Sequence, residues 1–399
     1  MRISVVSETC WTEISDITVT LRQLIPGLID KGHQIQLICP DYNIREAPTF
    51  SNNLSLYPIK YFSFISYKNS RYGLPSRKAL LRIWENQKPD IIYVTTQGPL
   101  GWTAVTQAKR LKIPTVSYFN ADYLSFRQEC RINALKTLAR KYLIKVLNKS
   151  NTTIVSTEGQ KKKLLEMGIN SIAVLGQGVD ANLFTPEKRS VKLRQKWGVK
   201  QLDPVLLYVG RIDTESNFDQ AIRTYFILHS MNKQLKFVLV LVGDGPLAKR
   251  LKINYPEFIF TSILSQEELS NIYASADLLV FPSTSDTFSN VILEAMASGL
   301  GIISYNCATS HIHIKSEERG LLANKNDSQQ FFSNAKRFLR NDLLLKKCRI
   351  NAFNYAKTQD WFSIVKHIEN IFNSNINTTE IEHETIDQLP IHKIKFYKV

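Results

Sequence analysis

The sequence predicts an α/β protein made of two doubly wound, parallel-sheet halves, and three observations predict it. Short apolar runs such as "RISVVS", "DIIYVTT", "VLLYVGR" and "KFVLVLVGDG" alternate with longer segments whose apolar residues recur at helical spacing. The alternation stops at a polar, charged stretch, "TPEKRSVKLRQKWGVKQLDP", and then restarts. A length of 399 residues accommodates two domains at about 150 residues each, with chain to spare.

In order, "RISVVS" is a strand, "VTLRQLIPGLIDKGH" a helix and "IQLICP" the next strand. Gly32 stands where a left-handed residue closes a helix before a strand. "DIIYVTT" follows, then a helix over "WTAVTQAKRLK", the strands "PTVSYF" and "TTIVST", a helix over "EGQKKKLLEMG", and "SIAVLGQGVD". The polar stretch reads as a linker. Beyond it come "VLLYVGR", a helix over "FDQAIRTYFILHSM", "KFVLVLVGDG", a helix from Leu247, "FIFTSI", "LSQEELSNIYASA", "DLLVFPS", a helix containing Glu294, and "GIISYN". Short apolar strands separated by amphipathic helices mean parallel pairing with helices on both faces. The expected boundaries are 1–190 and 191–355 for the two domains. A last amphipathic helix follows over 356–372, and 373–399 is a polar tail without clear periodicity.

Hydrophobic residues at 44% and charged residues at 22% suit a soluble chain with a full core. The 51 Lys and Arg against 35 Asp and Glu leave a net charge of +16, which favours a polyanionic partner. Nucleic acid is not that partner, since no aromatic-interleaved basic strand or recognised module is present. Five scattered cysteines without a CxxC pair argue against a disulfide framework or zinc module and fit a reducing compartment. No apolar run reaches the roughly 18 residues a bilayer requires. The expected location is cytoplasmic, or peripheral on the inner membrane face. One segment fits the second: helix 131–149 carries Arg131, Lys136, Arg140, Lys141, Lys145 and Lys149 with no acid between them, and Leu135, Leu138, Tyr142 and Val146 at helical spacing. Such a helix can lie on anionic headgroups. Packing on its own sheet with a solvated basic face is the alternative.

Open parallel sheets bind ligands beyond the carboxyl ends of their strands. Three segments of the second half stand there: "YVGRIDTESN" with Arg211, "LVGDGP" with Gly243, and "SDTFSNVILE", from Ser285 to Glu294. Arg211 offers a fixed fork to phosphate oxygens. Glu294, one turn into its helix, can accept from a ribose diol, and Asp286 can reach hydroxyls of a second ring. Taken singly, Asp286 reads as a helix N-cap, Glu294 as a solvated helix acid and Arg211 as a surface ion-pair partner. Together and in this order they suit a nucleotide sugar. "GDGPLA" also fits a dinucleotide fingerprint, but it sits on a later strand of its domain and carries Pro246. His311 and His313 have no third metal ligand in view and read as a loop pair.

At this combination the sequence resembles the retaining glycosyltransferases of GT-B fold called family 4, most closely their GDP-mannose-dependent α-mannosyltransferase-like branch. The segments "GPLGWTAVTQAKRLKIPTVSY", "GQGVDANLFTP", "YVGR", "LVGDGP", "YASADLLVFPS", "DTFSNVILEAMASGL" and "RGLL" carry the likeness. The resemblance implies two Rossmann-like domains facing across a cleft, a donor held mainly by the second, and a final helix crossing back to the first. It implies catalytic roles for Arg211, on the donor diphosphate, and Asp286, on the donor sugar. It places Glu294 on the ribose and gives donor-binding roles to Gly243, Asn290 and the backbone at Phe288 and Ser289. No cofactor or divalent metal is implied.

The departures from the family pattern are Ser216 in place of a second cation, no glycine in the first-loop stretch "EISDIT", and Phe119 where the branch carries a cleft histidine. Ser289 replaces a glycine between the acids, and Gly301 replaces a proline. The expected function is transfer of a mannose- or glucose-type hexose from a GDP- or UDP-sugar to a lipid or glycan acceptor, with retention. The alternative is a weakened or inactive descendant that binds a nucleotide sugar or a partner through the same site.

Overall fold

The computed structural model describes residues 1–8, 16–41, 53–63, 71–119, 133–213, 216–262, 264–284 and 289–387. The chain divides into two compact units, Met1–Gly176 with Ile364–Val399, and Gln177–Ser363.

The first unit runs β1 (Arg2–Val6), α1 (Asp16–Asp30), β2 (Gln34–Pro40), β3 (Leu54–Ile59), β4 (Tyr61–Ser63), β5 (Arg71–Gly73), α2 (Arg77–Asn86), β6 (Ile91–Val94) and α3 (Pro99–Arg110). It continues with β7 (Thr115–Tyr118), α4 (Asn133–Leu147), β8 (Thr152–Val155), α5 (Glu158–Glu166) and β9 (Ile172–Val174). Seven strands form one parallel sheet in the order β3-β2-β1-β6-β7-β8-β9, and β4 pairs with β5 as a separate antiparallel ribbon that the alternation did not predict. The central strands are buried on both faces, which is why they read as continuous apolar runs.

The second unit runs α6 (Val191–Lys196), β10 (Val205–Val209), α7 (Asp219–Met231), β11 (Val238–Val242), α8 (Ala248–Asn254), β12 (Ile259–Thr261), α9 (Gln266–Ser275) and β13 (Leu278–Phe281). There follow α10 (Val291–Ala297), β14 (Gly301–Tyr305), α11 (Ala308–His313), β15 (Leu321–Ala323), α12 (Ser328–Arg340), α13 (Asp342–Lys357) and the start of α14 (Trp361–Asp387). Its six-stranded parallel sheet has the order β12-β11-β10-β13-β14-β15. One apolar layer under α7 and α12 and another under α9, α10 and α13 cover its faces.

Three expectations about chain division change. The boundary falls at Gly176/Gln177 rather than 190: the Val179 amide donates to the Gln359 carbonyl, and Gly178 lies against the Trp361 ring, so residues 177–190 pack within the second unit. The charged stretch is not a linker either. Arg194 is buried, pairs with Asp277 at 3.0 Å and donates from Nη2 to the carbonyls of Lys200 and Asp203, while Trp197 and Val199 enter the core. Lys188, Arg189 and Arg194 pair with acids of the same unit, a property composition does not reveal. Finally, the polar stretch after 373 is helical to Asp387.

The second unit holds the donor-side candidates because of its topology. Strand order reverses between β10 and β13, and the loops that leave these two neighbours part to opposite sides. The reversal in the first sheet lies between β1 and β6.

Candidate functional site

Arg211 leaves the end of β10. Its Nε lies 3.1 Å from Asp213 Oδ2, and its side chain is 80% exposed against 12% for Asp213. The Tyr208 hydroxyl, which burial pushes up to about 12, donates to the Arg211 carbonyl at 2.7 Å and steadies the turn from below. The guanidinium is therefore tethered at one nitrogen with its far side open.

The two glycines of "LVGDGP" let a neighbouring loop come close. Gly243 has φ +140°, and a methyl group there would overlap the Gly210 carbonyl oxygen; one at Gly245 would overlap the Ile212 carbonyl oxygen. The Gly210 amide donates to Val242, and the Ile212 amide to Asp244 at 3.1 Å. The backbone that approaches these glycines is the Arg211 loop itself, so Gly243 sets the seat of Arg211.

The third segment follows β13. Asp286 and Phe288 lie outside the described residues. The Ser289 amide, expected to face phosphate, donates instead to Thr309 Oγ1 at 2.9 Å, which ties the entry of α10 to α11. Asn290 caps α10 without a side-chain hydrogen bond, and its buried Oδ1 has no partner among the described residues. A buried acceptor without a donor is costly, and a ligand hydroxyl would satisfy it. Glu294, half-buried one turn into α10, lies near the hydroxyl of Tyr273 on α9. Burial, and after it the charge of Glu294, raises the Tyr273 pKa far above its ordinary value. The structure thus places Arg211 and Gly243 on the loops after β10 and β11, and Asn290 and Glu294 at the cap and first turn of α10, which follows β13; the three strands are adjacent.

The departures find physical reasons. The Ser216 amide and hydroxyl both return to Asp213, at 2.9 and 3.0 Å, so this residue closes a turn. At Gly301 a Cβ would meet the terminal methyls of Leu345 of α13 and Leu278 of β13, and proline would also lose the bond that the Gly301 amide donates to the Asp277 carbonyl at 3.0 Å. Phe119, which stands where the branch carries a cleft histidine, has its ring buried among Leu143, Leu147, Val155 and Leu164 and packs in the core of the first unit. Residues 13–15 of the first-loop stretch lie outside the described residues. His311 and His313 stand on α11 rather than in a loop. His313 is buried against the Tyr355 hydroxyl at 3.0 Å, and burial lowers its pKa to about 4.

Sequence reasoning passed over Glu8, at the end of β1 where the first sheet's order reverses. Its Oε1 accepts from the Leu100 and Gly101 amides of α3 at 2.8 and 3.2 Å, and a methyl group on Gly98 would overlap its carboxylate. Burial pushes the Glu8 carboxyl up to about 7, against the downward pull of those two amides. A lone acid after a strand carries no sequence signal.

Two family models match the chain: "Glycosyltransferase Family 4" over residues 17–183 and "Glycosyl transferases group 1" over residues 203–341. The GDP-mannose-dependent alpha-mannosyltransferase of Corynebacterium glutamicum is 28% identical over 364 residues, covering 90% of this chain and 86% of the relative. The alpha-monoglucosyldiacylglycerol synthase of Streptococcus pneumoniae is 26% identical over 321 residues, 76% of this chain and 71% of the relative. Among solved structures, Anabaena HepE in complex with UDP superposes with a TM-score of 0.74 at 17% identity, over 94% of this chain and all of that one. The last comparison speaks to fold alone.

Proposed function

Since the chain belongs to family 4 of the GT-B glycosyltransferases, and so is a transferase that moves a sugar from a nucleotide sugar to an acceptor, we propose that it transfers a mannose- or glucose-type hexose to a lipid or glycan acceptor without a divalent metal. The inactive-descendant alternative finds no support in the comparisons. The observation that supports the proposal is that Arg211 follows β10, and the start of α10 with Asn290 and Glu294 follows β13, the two strands between which the sheet's order reverses. In this reading Glu294 takes the ribose hydroxyls and Asn290 Oδ1 a hydroxyl of the donor. Arg211 meets the charge that grows on the diphosphate as its bond to the anomeric carbon breaks. The acceptor hydroxyl forms the new bond on the face the diphosphate leaves, so configuration is retained.

The lipid acceptor has support in α4 and α3. Lys145 and Lys149 lie 5.7 and 4.7 Å from the Trp102 ring centroid, and burial together with repulsion from Lys145 and Lys109 lowers the Lys149 pKa. Leu138, expected on an apolar stripe, is 64% exposed on the same helix. A cation cluster at the end of a helix that also exposes a leucine suits an anionic headgroup layer. No helix among the described residues is long and apolar enough to cross a membrane.

Calorimetric titration with GDP and with UDP, in EDTA, tests the donor site. One nucleotide is expected to bind in the micromolar range, and Glu294→Ala to abolish that binding. Binding of neither, or dependence on added magnesium, overturns the reading. For the surface, flotation with vesicles containing phosphatidylglycerol is expected to recover the protein at low salt. Recovery is expected to fall with Lys145→Glu/Lys149→Glu and to be absent with phosphatidylcholine alone.

A further inference from the structure

We propose that Asn217 and Asp213 are positioning residues that lock the Arg211 loop to the loop after β13, so that the two grip a diphosphate at a fixed separation; this rests on the donor site proposed above. Asn217 holds a left-handed backbone at φ +52°, a conformation that asparagine and glycine adopt more readily than other residues. Its carbonyl accepts from the Gln220 amide at 2.9 Å as α7 begins. Its Nδ2 reaches across to Thr284 Oγ1 at 3.1 Å and to the Pro282 carbonyl at 3.5 Å. Pro282 and Thr284 lead directly into the stretch that holds Asp286. Asn217 is therefore a strap between two loops that leave neighbouring strands in opposite directions.

Asp213 organises the near side of the same strap. One oxygen takes Arg211 Nε and the other the Ser216 amide at 2.9 Å, while the Asp213 carbonyl accepts from Ser216 Oγ at 3.0 Å. The buried carboxylate holds the guanidinium by its inner nitrogen, at 3.1 Å, while the side chain is 80% exposed. A ligand spanning both loops needs that fork and the Asn290 side chain at one distance. A displacement of about 1 Å is enough to lower turnover on the order of 100-fold.

The test uses Asn217→Gly, which keeps the left-handed backbone and deletes only the strap, and Thr284→Val, which deletes its partner from the other side. Affinities for GDP, UDP, guanosine and uridine are measured by calorimetry, donor hydrolysis is followed with GDP-mannose and UDP-glucose, and melting temperatures are recorded. Both variants are expected to keep nucleoside affinity and lose about 10-fold in diphosphate affinity and 10- to 100-fold in kcat for hydrolysis. The double variant is expected to lose no more than either single one, and Thr284→Ser, which retains the hydroxyl, to restore activity. Asp213→Asn is expected to reproduce the diphosphate loss by releasing Arg211. If Asn217→Gly and Thr284→Val keep diphosphate affinity and kcat while Arg211→Ala and Glu294→Ala lose binding, the strap is overturned and the donor site stands. If those last two variants also bind as well as the parent, both ideas fall.

Discussion

Glu8 shows how one buried group sets a local property of the molecule. Folded, it keeps its proton up to about pH 7; the ordinary value is 4.5. Between these values the folded chain binds more protons than the unfolded one, so stability contributed here is highest at low pH and falls as pH rises through the window. The loss is about 1.4 kcal/mol per unit, or roughly 3 kcal/mol in all. Glu8→Gln keeps an acceptor for the Leu100 and Gly101 amides and does not titrate. Its stability relative to the parent, by denaturant unfolding at pH 5 and pH 8, is expected to rise with pH; a constant difference would mean that Glu8 is ionised throughout. Asn290 shows the opposite kind of legibility. Its place in "DTFSNVILE" marked it as a site residue, and its unsatisfied Oδ1 supplies a physical reason for it to meet a ligand.

Among elements, the loops at the strand ends are held by glycines of two kinds, and substitution separates them. Gly32 has φ +83° and open space where a side chain would be; Gly32→Ala is expected to cost about 1 kcal/mol and leave nucleotide affinity unchanged. Gly243→Ala adds overlap with the Gly210 carbonyl and is expected to cost about 2–3 kcal/mol and abolish nucleotide binding, as read by melting and calorimetry. Strands and major helices were legible because apolar periodicity reports burial. What escaped the sequence was partnership. Arg194 read as a linker charge, yet it is sealed against Asp277 and four backbone carbonyls. Phe119 was aligned with a cleft histidine by neighbouring motifs, and its burial in the first unit's core was not legible there.

Across the whole molecule, the division of the chain follows α14 rather than any change of composition. Val365, Ile368, Ile371 and Phe372 are buried within the first unit, with Phe372 5.6 Å from Tyr93 and Val365 against Gly27. Glu369 bonds Lys31 at 2.8 Å and His33 at 2.9 Å, contacts that hold its carboxyl below the ordinary range, and Asn375 accepts from Thr152 Oγ1 at 2.8 Å. Ending the chain after Ser363 strips those four apolar side chains, each worth about 2 kcal/mol, and is expected to leave the first unit unfolded or aggregated while residues 177–363 keep a cooperative transition by calorimetry. The helix was visible in the sequence as an amphipathic pattern, but its length beyond 372 was hidden by polar residues such as Thr378 and Thr379, whose hydroxyls bond back to the carbonyls one turn earlier. This placement also fixes an order of events during synthesis. A ribosome exposes the seven-stranded sheet early, yet the segment that closes its core emerges only after the whole second unit has left the tunnel. The earlier-made half must wait, incomplete, for the later-made helix, and any stall in translation between the two leaves an apolar seam open to chaperones and proteases.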